Sequence, residues 1–360
     1  MSRALEFALT AGDLDLDAVL RRIAAGEEVA FERYTLTRLV GSGGMGHVFE
    51  AWDRQLERRV AIKLLRTVDD DEMALREARC LARVADPHVV AVHEVGRCRG
   101  LAFIAMELID GPDLHQWLRE RPRDWTEVID RVLEAGRGLA AAHRVGLVHG
   151  DVKPANVIVG RDGRVRLVDF GLARRGVELH PHLHPGTVDA SVLARLVAAS
   201  VAHEFVTRGL TDEVGSSGAW VVSGIAVGGG TWAYMAPECL GHGRGLGADA
   251  SALADQYSLC ATAWEALFGV RPYAGDRVET LLASMALARL ERGRGRPKGM
   301  PRSIVAALER GLSEDEDQRW PSIAALIDEL ARARETRSKV IACLVAAARQ
   351  VVQPCREAPK

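Results

Sequence analysis

The sequence lacks a long apolar run. A bilayer-spanning helix needs roughly 18 or more consecutive apolar residues, and the longest late candidate, Val340–Ala348, is nine residues closed by Arg349. A short packed helix is the reading of that piece. A secretory leader is also missing, because Met1–Thr10 is mixed in charge and has no apolar segment. The six cysteines, Cys80, Cys98, Cys239, Cys260, Cys343 and Cys355, form no CxxC pair and no metal-ligand spacing. A disulfide scaffold is thereby excluded, and reduced, mostly packed thiols of a cytoplasmic protein are expected. Neither sign of charge dominates: 47 Lys and Arg stand against 49 Asp and Glu, a net charge of −2. No global electrostatic argument for a nucleic-acid or membrane partner remains. No solenoid-type repeat is found.

What is present fits a globular protein, with 48% hydrophobic and 27% charged residues. A chain of 360 residues is more than one core usually holds, so two packed lobes are expected. Residues 1–33 are an N-terminal extension in which Val19, Leu20 and Ile23 predict a short helix. Residues 34–107 are rich in short strands: Tyr34–Val40, Val48–Trp52, Val60–Leu65, Val89–Val95 and Leu101–Leu108. One helix is predicted among them, over Asp70–Val84, with acidic residues in its first turn where the helix dipole favours them. Residues 108–334 are mainly helical, with Trp125–Val145 and an all-round apolar Asp255–Phe268. A hairpin is expected around Asp162-Gly163. Residues 335–360 form a C-terminal tail.

Chemistry-bearing strings fall within this frame in a fixed order. Gly41-Ser42-Gly43-Gly44-Met45-Gly46-His47-Val48 fits G-x-G-x-x-G-x-V, a loop whose backbone N–H groups approach phosphate oxygens unobstructed. A strand follows it, where a dinucleotide fold would need a helix. Val60-Ala61-Ile62-Lys63 matches the strand whose lysine pairs the α- and β-phosphates. A lysine there needs a carboxylate, and Glu77 lies on the inward face of the next helix with Met73, Cys80, Leu81 and Val84. His149-Gly150-Asp151-Val152-Lys153-Pro154-Ala155-Asn156 is the strongest string. Its aspartate and asparagine have the spacing of a base that accepts a hydroxyl proton and a Mg²⁺ ligand. Asp169-Phe170-Gly171 supplies a second hard-oxygen ligand suited to Mg²⁺.

Taken together, these strings are similar to the bacterial eukaryotic-type (Hanks-type) Ser/Thr protein kinases. The resemblance covers about Phe31 to Arg334. It implies an α+β, two-lobed protein kinase fold, with a small antiparallel-sheet N-lobe holding one helix and a larger, mainly helical C-lobe. It further implies ATP and Mg²⁺ as cofactors and protein Ser/Thr hydroxyls as substrates, with Asp151, Lys153, Lys63 and Glu77 catalytic and Asn156 and Asp169 holding metal. The nucleotide set it implies is Val40, Gly41, Ser42, Gly43, Gly44, Met45, Gly46, Val48, Ala61, Lys63 and Ile158. To these it adds Met106 as gatekeeper, Glu107 and Ile109 as hinge and Asp113 at the ribose. Ala236-Pro237-Glu238 with Arg319, Gly230-Thr231, and Asp255 as anchor of the catalytic loop also fit the family. A scaffold in the same fold would lack one of Lys63, Asp151, Asn156 or Asp169, and a small-molecule kinase would lack Ala-Pro-Glu and the buried-helix aspartate.

Two departures stand out. Gly150 replaces the arginine that commonly binds an activation-loop phosphate, so activity without that phosphorylation is expected. Asp169 to Glu238 spans 70 residues (238 − 169 + 1), with an insert at about 176–215 that reads either as a tolerated surface insertion or as a docking or autoinhibitory element over the substrate groove. His180, His182 and His184 within it, and the arginine-rich Arg289–Arg302, read as solvated loops rather than metal or nucleic-acid sites.

Overall fold

Strand alternation explains how the smaller lobe is built. The computed structural model describes residues 15–43, 46–65, 71–170, 231–240, 251–275, 278–287 and 290–335. Its chain begins α1 (Leu16–Ala24), β1 (Val29–Phe31), β2 (Tyr34–Gly43), β3 (Gly46–Asp53), β4 (Arg58–Leu65), α2 (Asp71–Leu81), β5 (Val92–Cys98) and β6 (Leu101–Glu107). The strands form one six-stranded antiparallel sheet in the order β1-β2-β3-β4-β6-β5. Successive side chains of a strand point to opposite faces. On β4, Val60, Ile62 and Leu64 therefore join one apolar cluster, while Ala61 and Leu65 join the other. The outer cluster is closed by Val19 and Ile23 of α1, so the extension covers a sheet face that would otherwise be bare. Asp15 starts α1 by accepting the Asp17 N–H at 3.0 Å. On the inner face, α2 inserts Ala74, Leu75, Ala78 and Leu81.

Residues 89–95 were expected to form one strand, but β5 begins at Val92. Val89 and Val90 leave β6 and bind the larger lobe instead: Val90 N–H donates to Leu167 O at 3.0 Å, and Leu167 N–H to His88 O at 2.9 Å. Burial of both valines against that lobe favours the exchange. Cys80, placed inward by spacing, is exposed, because the buried stripe of α2 runs along Ala74, Ala78 and Leu81.

The larger lobe follows as α3 (Leu114–Glu120), α4 (Trp125–Arg144), β7 (Val157–Val159), β8 (Val165–Leu167), α5 (Ala252–Phe268), α6 (Val278–Ala286) and α7 (Arg302–Gly311), with a last helix, α8, over 323–335. A capping box starts α4: Asp124 accepts the Thr126 N–H at 2.9 Å, and Glu127 accepts the Asp124 N–H at 3.0 Å. Hydrogen bonding from Arg121, then from the Asp124 backbone, brings the Glu127 carboxyl down to about 2. The all-round apolar pattern of α5 matches its position, with Leu259, Cys260, Ala261, Ala263 and Trp264 at most 1% exposed. Arg334 of α8 forks onto Asp130 of α4 at 2.5 and 2.7 Å and ties the chain's last described helix to the centre of the lobe. The insert, the histidine-rich loop and the C-terminal tail after residue 335 lie outside the described residues. Among the described residues no helix is long and apolar enough to cross a membrane, and no three or more His, Cys, Asp or Glu side chains gather into a metal-holding group.

Candidate active site

The smaller lobe contributes Lys63 through strand register. Lys63 shares the inner face of β4 with Ala61 and Leu65, faces Val48 across β3 and Ile104 across β6, and is 4% exposed. The same face carries Val48, Ala61 and Met106, with Ala61 opposite Met106 in register, so two residues assigned to adenine and the assigned gatekeeper sit side by side. Val40 lies further out and is 47% exposed. The glycine hairpin is described except at Gly44 and Met45. Gly46 has φ +152°, and an added Cβ there would stand 2.1 Å from Leu64 O, so only glycine lets β3 begin this close to β4.

From the larger lobe comes a loop held by buried polar bonds. Asp255, 1% exposed, accepts the His149 N–H and the Gly150 N–H at 2.8 Å each and also holds His143 Nε2 at 2.8 Å. A buried carboxylate is tolerable only with such donors around it. Gly150 takes φ +73°, a left-handed conformation that side chains other than Gly, Asn and Asp rarely adopt. His149 is fully buried, and burial lowers its pKa despite the nearby charges of Asp255, Asp151 and Asp169. It is therefore a neutral ring: Nδ1 accepts the Asp151 N–H at 3.3 Å and Nε2–H donates to Val168 O at 3.1 Å. Its ring also packs on Phe170 at 4.4 Å.

These anchors aim Asp151, Lys153, Asn156 and Asp169 into one cleft. Lys153 Nζ donates to Asp151 Oδ2 at 2.8 Å, and Asn156 Nδ2 donates to Asp151 O at 2.8 Å and to Oδ2 at 3.2 Å. With its NH₂ so engaged, Asn156 keeps its amide oxygen as an acceptor. Across the cleft, Lys63 Nζ meets Asp169 Oδ1 at 2.9 Å. The predicted Lys63–Glu77 pair is not made in this structure. Asp169 sits at φ +55°, a left-handed conformation that aspartate tolerates, and its carboxylate reaches the ammonium instead. Burial would raise the Asp169 pKa, but Lys63, with Lys153 behind it, outweighs burial and keeps it low. Two hard oxygen donors, from Asn156 and Asp169, thus lie in the same cleft, a donor set that suits Mg²⁺.

Asp113 caps α3, accepting the Gln116 N–H at 2.7 Å, and its backbone bridges to Ile158, so the residues assigned to ribose and adenine floor are neighbours. Glu107 ends β6, and Ile109 packs on the core below it. Further from the cleft, Arg319 forks onto Glu238 at 2.8 Å through both terminal nitrogens and is itself 2% exposed. Sequence reasoning found this pair but missed His143, whose partner Asp255 lies 112 residues away. It also missed Arg166, which ion-pairs with Glu107 at 2.8 Å. Neither has a local signal, because each is defined only by a contact between distant segments.

Comparison with known proteins agrees with this geometry. Residues 34–189 match the protein kinase domain. The chain is 32% identical to the serine/threonine-protein kinase PknA of Mycobacterium tuberculosis over 316 residues, covering 85% of this chain and 62% of that protein. It is 33% identical to PknE of the same organism over 300 residues, covering 82% of this chain and 45% of PknE. The chain thus spans less than two thirds of the length of these relatives. Among solved structures, the PknI kinase domain of M. tuberculosis superposes with a TM-score of 0.53 at 24% identity, covering 85% of this chain and 98% of that one. A Rad53 fragment in complex with AMP-PNP gives 0.59 at 19% identity, covering 83% of this chain and 65% of that one. Ordered motifs, a shared cleft and these relatives point the same way: residues 34–189 match the protein kinase domain, and the chain is similar to bacterial Ser/Thr kinases.

Proposed function

We propose that the chain transfers the γ-phosphoryl group of Mg-ATP to Ser or Thr hydroxyls of protein substrates. The observation that carries this reading is the meeting of Asp151, Lys153 and Asn156 with Lys63 and Asp169 across one cleft. Bound Mg-ATP supplies the transferable phosphoryl group and partial neutralisation of its charge. Asp151 accepts the hydroxyl proton as the oxygen bonds to the γ-phosphorus and the bond to the β–γ bridging oxygen breaks, releasing ADP, and Lys153, 2.8 Å from that carboxylate, stands beside the developing negative charge. Lys63 orients phosphate oxygens, Asn156 and Asp169 hold the metal, and Glu77 steadies Lys63 once the site engages. Val40, Val48, Ala61 and Ile158 enclose adenine, and the hinge at Glu107 and Ile109 meets its edge. Little covalent work is left to the protein, so positioning and electrostatics dominate.

Transfer to a generic protein substrate, compared between wild type and Asp151→Asn in Mg²⁺ buffer, tests the reading. Loss of about 10²-fold or more in the variant is expected; equal transfer by both, or none by wild type, overturns it. Gly150 supports a second element of the proposal, activity without activation-loop phosphorylation. No side chain there can meet a phosphate, and its N–H is committed to Asp255. A phosphatase-treated sample is expected to keep its turnover, and a drop to a small fraction would refute that element.

A further inference from the structure

An ion-pair chain between the hinge and the β7–β8 hairpin has no part in the chemistry above. Arg166 Nε reaches Glu107 Oε1 at 2.8 Å. The same guanidinium donates to Asp162 through Nη1 at 3.0 Å and Nη2 at 2.8 Å. Its side chain is 13% exposed, so the bonds form largely out of water. Hydrogen bonding to Asp162, then the charge of Glu107, holds the Arg166 pKa up against burial. Asp162 in turn is brought down to about 2, chiefly by its bonds from Arg166. Arg166 and Asp162 therefore stay charged across the working range of pH.

Arg166 stands opposite Ile158 in the β7–β8 register, and directly opposed residues share a face of the ribbon. Ile158 bridges Asp113, the start of α3. Glu107 is the last residue of β6, opposite Val60, and its N–H donates to Ala91 O at 2.8 Å. One side chain thus joins the floor of the nucleotide slot to the strand that leads into its hinge.

We propose that Arg166 is a positioning residue for nucleotide binding: it fixes the hinge backbone after Glu107 at a set distance from the β7–β8 floor. This rests on reading the cleft as a nucleotide site. Exposed ion pairs contribute little because two long side chains must be ordered for each one. Here Asp162 already orients the guanidinium, so holding Glu107 costs less further entropy. Lysine carries the charge but cannot fork onto Asp162 while reaching Glu107.

The test is titration of the full chain with a fluorescent ADP analogue, together with KM for ATP, kcat and a thermal melt. Arg166→Gln is expected to raise the nucleotide Kd and KM by about tenfold, with the loss in KM rather than kcat. Glu107→Gln should raise Kd comparably, and the double variant no further than the worse single, since both remove one interaction. Arg166→Lys should recover only part of the affinity. A merely structural role would lower the melting temperature and leave Kd at the wild-type value in the folded variant; that result, or strictly additive losses in the double variant, overturns the inference alone. Absence of nucleotide binding by wild type would overturn the functional reading and this inference with it.

Discussion

Lys63 and Asp151 face one cleft from opposite lobes, yet what fixes them differs. Lys63 rides on a strand buried on both faces by apolar side chains, with α1 covering one face and α2 the other. That packing is non-directional: it sets where the strand lies but not which carboxylate the lysine meets, and here the lysine meets Asp169 rather than Glu77. Asp151 sits in a loop specified by directional bonds, with Asp255 taking three donors and a neutral His149 bonded through both ring nitrogens. Buried polar networks of that kind admit one arrangement, because every lost partner leaves an unsatisfied group. The Asp151 side of the site is therefore preorganised, while the Lys63 side keeps a choice of partner.

Breaking the polar half should have the largest effect. Asp255→Asn replaces an acceptor of three donors with an amide whose NH₂ faces one of them, at a cost of about 3 kcal/mol. A fall in kcat of about 100-fold with nucleotide binding retained is expected. Turnover assays beside nucleotide titration would show it, and wild-type kcat would remove Asp255 from the account of the loop.

The choice of partner on the other half gives the next effect. Lys63→Ala strips both the proposed phosphate anchor and the counter-charge of Asp169, whereas Glu77→Gln removes a contact that Lys63 does not make in this state. Losses in kcat/KM of roughly 10³-fold and roughly tenfold are expected. Equal losses would mean that the Lys63–Glu77 pair already governs the resting site.

The smallest effect lies in a part of the larger lobe distant from the cleft. Glu127 closes the α4 capping box with its carboxyl lowered from 4.5 to about 2. A depressed carboxyl stabilises the fold above its unfolded pKa and loses that contribution as pH falls through its folded value. Glu127→Gln should lower the melting temperature slightly at neutral pH, and the difference from wild type should close between pH 4.5 and about 2. The group is partly exposed, so the shift is small. A difference that persists at pH 2 would assign the effect to packing instead of charge.

Much of this was legible in the amino-acid order. Gly-rich hairpin, Val60–Lys63 strand, catalytic loop and Asp169 are contiguous strings whose chemistry depends on residues a few positions apart, and strand alternation alone puts Lys63 on the face of Ala61. Periodicity likewise gave α4 and the largely buried α5. It misjudged Cys80, because helical spacing names a face but not its width.

The sequence by itself determined which groups are available, since short-range spacing and side-chain chemistry are local properties. Only the tertiary structure decided their partners: Lys63 with Asp169, His143 with Asp255, Arg166 with Glu107, and α1 against the outer sheet face. Each joins segments far apart in the chain, and the packing of whole elements sets those distances, which no local pattern encodes.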